Sequence, residues 1–248
     1  MSGIRLDKYL ADAGQGTRSQ VKAVLRQGRV MVNGEPVKAP EYKVDADSDR
    51  VALDGKLISF ERFQYYMLHK PAGVISATSD KRERTVIDLI REEKRRDLFP
   101  VGRLDKDTEG LLLITNDGKL ANHLLAPGRH VAKTYYAQID GSVTGEMISA
   151  FAEGVDIGDA RLTAPAELRV VSEGETEHIS CVEITITEGR YHQIKRMFES
   201  FGRKVVYLKR LSMGPIVLDK DLPCGAYRKL TEQEIIMLKG EKDYGNEL

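Results

Sequence analysis

Four acids, Asp105, Asp107, Glu109 and Asp117, fall within the run Val101–Gly118. Two carboxylates two residues apart can share acid, base and nucleophile duties at a glycosidic bond. The chain contains no Trp, and nothing in it looks like a sugar-stacking surface, which argues against a carbohydrate hydrolase. The same run also reads as a polar loop leading into a buried strand, Leu111–Thr115, that ends at an Asn116-Asp117-Gly118 turn. A second concentration of polar chemistry lies at residues 187–210, where seven basic residues stand against two acidic ones. That local excess fits a surface facing nucleic acid better than an ordinary solvated helix. His69 and His192 read as structural histidines, since an isolated histidine is most often a satisfied one. No Ser-His-Asp order, metal-ligand cluster or thiol arrangement competes with Asp105.

Composition narrows the classes further. The 248 residues carry 38 basic and 38 acidic side chains, so attraction to a polyanion must come from local clusters. A hydrophobic content of 41% supports a real core. Cys181 and Cys224 are too far apart and too isolated for a disulfide framework, a zinc site or an iron–sulfur cluster, and a reducing cytoplasm is the expected compartment. The longest aliphatic run, Leu111–Ile114, is far short of a membrane span, and the charged start (Arg5, Asp7, Lys8) lacks a secretory pattern. Gly-x-Gly-x-x-Gly and Gly-Lys-Ser/Thr loops are absent, so no nucleotide cofactor is expected, and without a metal-ligand cluster no metal is expected.

The elements that must position these residues fall into two groups. Leu6, Tyr9, Leu10 and Ala13 predict a first helix over 4–13, and a second runs over 18–27 to a stop at Gly28. Arg18, Lys22 and Arg26 recur at i, i+4 and i+8, a basic stripe on the second helix, and Arg29 follows it. Asn33-Gly34 between alternating residues predicts a hairpin. From about residue 60 the pattern changes to strands mixed with helices. It predicts a strand from Tyr65, a capped helix from Thr85 to about Arg96, and a strand at 133–141. A helix at 144–153 with Thr144 at its cap, short strands over 155–188 with a Gly174-Glu175 turn, and helices at 191–201 and 231–238 complete it. The order lacks regular βα alternation, so the expected class is α+β with a central mixed, largely antiparallel sheet. The expected domains are 1–60 and 61–240, followed by a polar tail, 241–248.

Residues 4–50, with Arg5-Leu6-Asp7-Lys8-Tyr9-Leu10, Ser19, Gly28–Gly34 and the acidic Asp45–Asp49 loop, resemble the alpha-L RNA-binding domain of ribosomal protein S-four type. Such a module implies docking on folded RNA by shape and phosphate contacts, without chemistry of its own. The larger part resembles the pseudouridine synthases. Gly102–Leu111 matches their Gly-Arg-Leu-Asp-x-Asp-Thr-x-Gly-Leu pattern at every defined position, and Glu188–Met197 matches Glu-Gly-Arg-x-His-Gln-Val/Ile-Arg/Lys-Arg-Met. The resemblance implies that Asp105 is the catalytic carboxylate, with Asp107 structural and Lys195 as its cationic partner. It further implies Tyr135, in Lys133-Thr134-Tyr135, as the aromatic that stacks on the target base, and Leu208 as a wall of the uracil site.

Isomerising uridine to pseudouridine involves no net redox change, so the implied cofactor set is empty. An ionised carboxylate in a partly dry pocket needs a nearby cation, which Lys195 supplies. Arg103, Arg190, Arg196, Lys209 and Arg210 are expected on the RNA-facing surface, along with Arg18, Lys22, Arg26 and Arg29. The expected substrate is ribosomal RNA in an assembling subunit, 16S by the style of Lys195 and Tyr191, acted on by a monomer. The alternatives are a 23S enzyme of the same branch and a non-catalytic RNA-binding assembly factor.

Overall fold

The computed structural model describes residues 3–240 apart from 47, 59, 62, 91–96 and 174–177. The chain divides into two compact units. One runs to Gln64 and takes in Ile90 and Leu98; the other holds Tyr65–Leu89 and the chain from Phe99 onward.

In the first unit, strand β1 (Ile4–Arg5) leads directly into helix α1 (Leu6–Asp12), and α2 (Arg18–Arg26) follows. Thr17 opens α2 with a capping box: its side chain accepts from the Gln20 amide while Gln20 reaches back to the Thr17 amide. Gly28, at φ 73°, leaves the helix in the left-handed region. Strands β2 (Val30–Val32) and β3 (Glu35–Pro36) form the expected hairpin, with Asn33 at φ 53° and Gly34 at φ 89°, the signs a type I′ turn requires. Strands β4 (Lys43–Val44), β5 (Val51–Leu53) and β6 (Lys56–Leu57) complete the unit, β4 pairing with β1 and β5 with β2. Leu6, Tyr9, Leu10, Val21, Leu25, Val30 and Val32 bury one small core. Arg18 and Arg26 stand exposed on α2 and Lys22 is half-buried.

The second unit is built on one sheet. Its strands are β7 (Tyr65–Lys70), β8 (Phe99–Pro100), β9 (Glu109–Thr115), β10 (Lys133–Asp140), β11 (Glu167–Glu173), β12 (Ile179–Ile186), β13 (Lys204–Met213), β14 (Ile216–Val217) and β15 (Tyr227–Lys229). The order β11-β12-β10-β13-β9-β7-β15 is antiparallel except where β13 meets β9 in parallel. It is the expected mixed, largely antiparallel sheet. The parallel contact pairs Lys209 with Glu109 and Arg210 with Gly110. Gly110 sits at φ 103°, and a Cβ there would lie 2.2 Å from the Arg210 carbonyl oxygen. Only glycine lets the two backbones come this close.

Helices α3 (Gly118–Leu125), α4 (Gly145–Glu153), α5 (Gln193–Glu199) and α6 (Glu232–Lys239) accompany the sheet. Thr144 caps α4, as its sequence predicts, and Thr231, expected inside the last helix, caps α6. Phe151 of α4 and Phe198 of α5, both fully buried, pack at 4.9 Å between ring centres. Each ring contributes about 2–3 kcal/mol by burial and fixes α5 in place.

Three expectations fail. Asn116-Asp117-Gly118 is the start of α3 and not merely a turn: the Asp117 carboxylate accepts from the Lys119 and Leu120 amides and from the Tyr65 hydroxyl. The helix at 191–201 begins two residues late because His192 adopts φ 48°, outside helical space. Thr85 and Asp88 make the predicted reciprocal cap, yet only a 3-10 turn, Ile87–Leu89, follows it, and 91–96 lie outside the described residues. The expected Gly174-Glu175 turn and the 241–248 tail lie outside them as well. Among the described residues no helix is long and apolar enough to cross a membrane.

Candidate active site

The loop that carries Asp105 is held from beneath by a buried lysine. Strand β7 is buried along its whole length, the pattern of a strand covered on both faces, and its last residue is Lys70 at 0% exposure. The Lys70 ammonium donates to the carbonyl oxygens of Asp105 (3.0 Å), Thr108 (2.8 Å) and Pro71 (3.0 Å). Burial pulls its pKa down to about 8 against the opposing pull of Asp107, Asp105 and Glu109. Ser76 adds a second clamp: its hydroxyl donates to the Leu104 carbonyl (2.9 Å) and accepts from the Leu104 amide (3.0 Å). The backbone on both sides of Asp105 is therefore fixed, and its side chain is aimed into a cleft.

Opposite this loop stands α5. Lys195, in its first turn, places Nζ 3.6 Å from Oδ2 of Asp105, and His192 places Nε2 3.5 Å from Oδ1. The Lys195 hydrogen bonds themselves go to Asp107, at 2.7 and 2.8 Å to its two oxygens. Partial burial pushes the Asp107 carboxyl up, but the Lys195 hydrogen bond and charge outweigh it and hold it below the usual carboxylate range. Lys195 thus stands beside Asp105 as the resemblance implies, and adds hydrogen bonds to Asp107 that the sequence does not announce. A compact ammonium has no fork to commit, so it hydrogen-bonds one carboxylate while lending its charge to the next.

Tyr135, on β10, and Leu208, on β13, close the cleft from the sheet, and Arg103 stands exposed at its rim. Asp105, Lys195, Tyr135, Leu208, Arg103 and Arg190, widely spaced in sequence, thus line one cavity.

Several expected RNA contacts are otherwise engaged. Arg210 is 2% exposed, and its Nε donates to the Leu111 carbonyl at 2.7 Å; it ties β13 to β9 and cannot reach RNA. Arg190 donates to the Arg161 and Leu162 carbonyls (2.8 and 2.7 Å) and to Glu188 and Asp159, so its fork braces the 159–162 segment. Arg196 holds the Ile157 and Tyr191 carbonyls and the Asp159 carboxylate in the same way. Arg29 forms a two-pronged pair with Asp54 on the surface of the other unit. Lys209 is half-buried at the parallel junction.

Sequence reasoning missed two residues. Lys70 left a signal, a lysine ending an apolar run that does not alternate, which predicts a buried charge in need of partners. His192 reads from sequence as structural, and its approach to Asp105 depends on a left-handed backbone that no sequence pattern announces.

The RNA pseudouridylate synthase model matches residues 64–200, more than half of the chain, and the S4 domain model matches residues 4–56. The chain belongs to the RNA pseudouridylate synthase family. It is 48% identical to an uncharacterized RNA pseudouridine synthase, YtzG, of Bacillus subtilis, over 95% of this chain and 98% of the relative. It is 40% identical to ribosomal small subunit pseudouridine synthase A of Vibrio parahaemolyticus, over 94% and 98%. Ribosomal large subunit pseudouridine synthase B of Bacillus subtilis is 37% identical over 97% and 98%. A crystal structure of a pseudouridylate synthase, 38% identical, superposes with a TM-score of 0.65 over 95% of this chain and 99% of the other. As a pseudouridylate synthase the chain is an isomerase acting on RNA, with an S4 module ahead of the unit that holds the cleft.

Proposed function

We propose that this synthase converts one uridine of small-subunit ribosomal RNA to pseudouridine, with Asp105 as the catalytic carboxylate. The observation that carries the assignment is the meeting of Asp105, Lys195, Tyr135 and Leu208 in one cleft. Likeness over nearly the full length to enzymes named for the small subunit supports the choice of RNA.

The reaction breaks the N1–C1′ bond, turns the uracil and joins C5 to C1′; C5 gives up a proton and N1 gains one, so atoms and electrons balance within the nucleotide. Asp105 acts on the nucleoside through its carboxylate, with the ammonium of Lys195 3.6 Å away. The clamps of Lys70 and Ser76 keep the carboxylate in place, so little reorganisation is needed when the substrate arrives. A uridine in a stack cannot reach this cleft and must be extruded, at a cost of a few kcal/mol. Stacking on Tyr135 and contact with Leu208 offset that cost, and Arg103 at the rim holds the flanking backbone. The exposed cations of α2, Arg18 and Arg26 with Lys22, give the S4 unit a grip on phosphates.

The test is release of tritium from 16S and 23S transcripts labelled at uracil C5, with mapping of the modified position. Wild-type protein is expected to release label from 16S RNA, and Asp105→Ala to release none. Release from 23S RNA alone moves the substrate to the large subunit, and robust turnover by Asp105→Ala removes Asp105 from its role.

A further inference from the structure

We propose that Tyr191, braced by His192, is a stacking platform for a nucleobase next to the target uridine. The inference rests on the reading of the cleft given above. Tyr191 is 75% exposed, and no large apolar side chain among the described residues is more so. Its ring is nevertheless held in place: it stacks on the His192 imidazole at 3.8 Å between centres, with the planes 18° apart. The stack goes with an unusual backbone, since His192 lies at φ 48° and ψ 33°, where a residue with a Cβ rarely sits. The Tyr191 carbonyl accepts from Arg196, which anchors the same segment from behind.

His192 is also a wall of the cleft, with Nε2 3.5 Å from the Asp105 carboxylate. An ordered, solvent-facing aromatic therefore lies a single stacking layer from a residue that touches the reaction centre. The cations of this segment are already engaged, Arg190 by carbonyls and carboxylates and Arg196 likewise. What this segment offers is a π face, its two arginines being spent on carbonyls and carboxylates. Bases stack on such faces with little regard to sequence, whereas phosphates are passed over. A strand that delivers one uridine into the cleft must carry its neighbours across this rim, with their bases unstacked and looking for a partner.

The test uses the full chain and an RNA fragment spanning the mapped uridine, carrying either 2-aminopurine or an abasic site at each adjacent position. With wild type, 2-aminopurine fluorescence at one of these positions is expected to be quenched on binding. Tyr191→Phe keeps the quenching. Tyr191→Ala loses it and raises KM about tenfold, the worth of one base–aromatic stack, with kcat nearly unchanged. The abasic RNA should show the same rise with wild type and no further rise with Tyr191→Ala. An unchanged KM in Tyr191→Ala, a fall in kcat alone, or an abasic penalty equal in both proteins overturns the platform. Wild-type inactivity on both ribosomal RNAs instead overturns the activity assigned above, and the platform with it.

Discussion

Lys195 gives its hydrogen bonds to Asp107, at 2.7 and 2.8 Å, while standing 3.6 Å from Asp105. The cation is thus parked on one carboxylate and shared with another, and the two acids should respond differently to neutralisation. Asp105→Asn should bring tritium release to background with RNA affinity retained. Asp107→Asn frees Lys195 to close on Asp105, so turnover should survive with a fall of about tenfold, the scale of one charge-assisted hydrogen bond. Equal losses in the two variants would show that Asp107 shares the catalytic duty.

The Lys70 clamp predicts a pH effect on stability whose sign is set by its lowered pKa. The folded value is about 8 and the ordinary value 10.5, so between these the unfolded chain binds the extra proton. Stability should then rise with pH across that window, relative to a chain without the group. Lys70→Met removes the dependence and leaves the Asp105 and Thr108 carbonyls without their donor. Urea titrations of both proteins at pH 7.5 and 10 check the sign, and turnover of Lys70→Met should fall because the loop is no longer fixed.

How far the site was legible follows from these residues. Asp105, Lys195, Tyr135 and Leu208 could be named from ordered motifs because each motif is local, and the structure brings them to one cleft. Caps such as Thr144 were legible because a cap needs only its own turn. Pairing across the chain was not. The basic run at 187–210 gives no hint that Arg190, Arg196 and Arg210 are held by carbonyls 29, 39 and 99 residues away. Asp117 could end a strand or start a helix on sequence alone, and the Tyr65 hydroxyl, 52 residues distant, helps hold it at the helix start. Charge patterning counts cations; only tertiary structure says which are free.

Gly110 should tolerate no side chain. Its φ of 103° and the 2.2 Å gap from a Cβ to the Arg210 carbonyl oxygen combine backbone strain with a clash against immobile backbone. Gly110→Ala is expected to cost about 3 kcal/mol or more in a denaturant titration, because β9 must part from β13. A loss under about 1 kcal/mol would mean that the parallel junction gives way easily.

Glu234 carries an acid-sensitive part of the stability. Arg228 donates to both its carboxylate oxygens, at 2.9 and 2.8 Å, and the Thr231 amide donates at 2.7 Å. Arg228 is the main reason its pKa falls from 4.5 to about 2. A carboxyl lowered on folding stabilises above its unfolded value, so the contribution is complete above about pH 4.5 and is lost as pH falls toward 2. Glu234→Gln should cost about 2 kcal/mol at pH 7 and little at pH 2.5, which thermal melts across that range would resolve. A difference that did not change with pH would assign the effect to helix capping alone.

The stripe on α2 can be separated from the chemistry by its salt dependence. Arg18, Lys22 and Arg26 stand in the S4 unit, whereas Asp105 and Lys195 stand in the other. Each phosphate they neutralise releases counterions, so log affinity falls with log salt by about 0.7–0.9 per contact. Replacing all three with alanine should flatten that slope by about 2 and weaken binding most at low salt. Turnover at saturating RNA should stay within about twofold, because none of the three lines the cleft. A slope identical to wild type would remove α2 from the interface, and a large loss of kcat at saturation would show that the grip also positions the uridine for the chemical step.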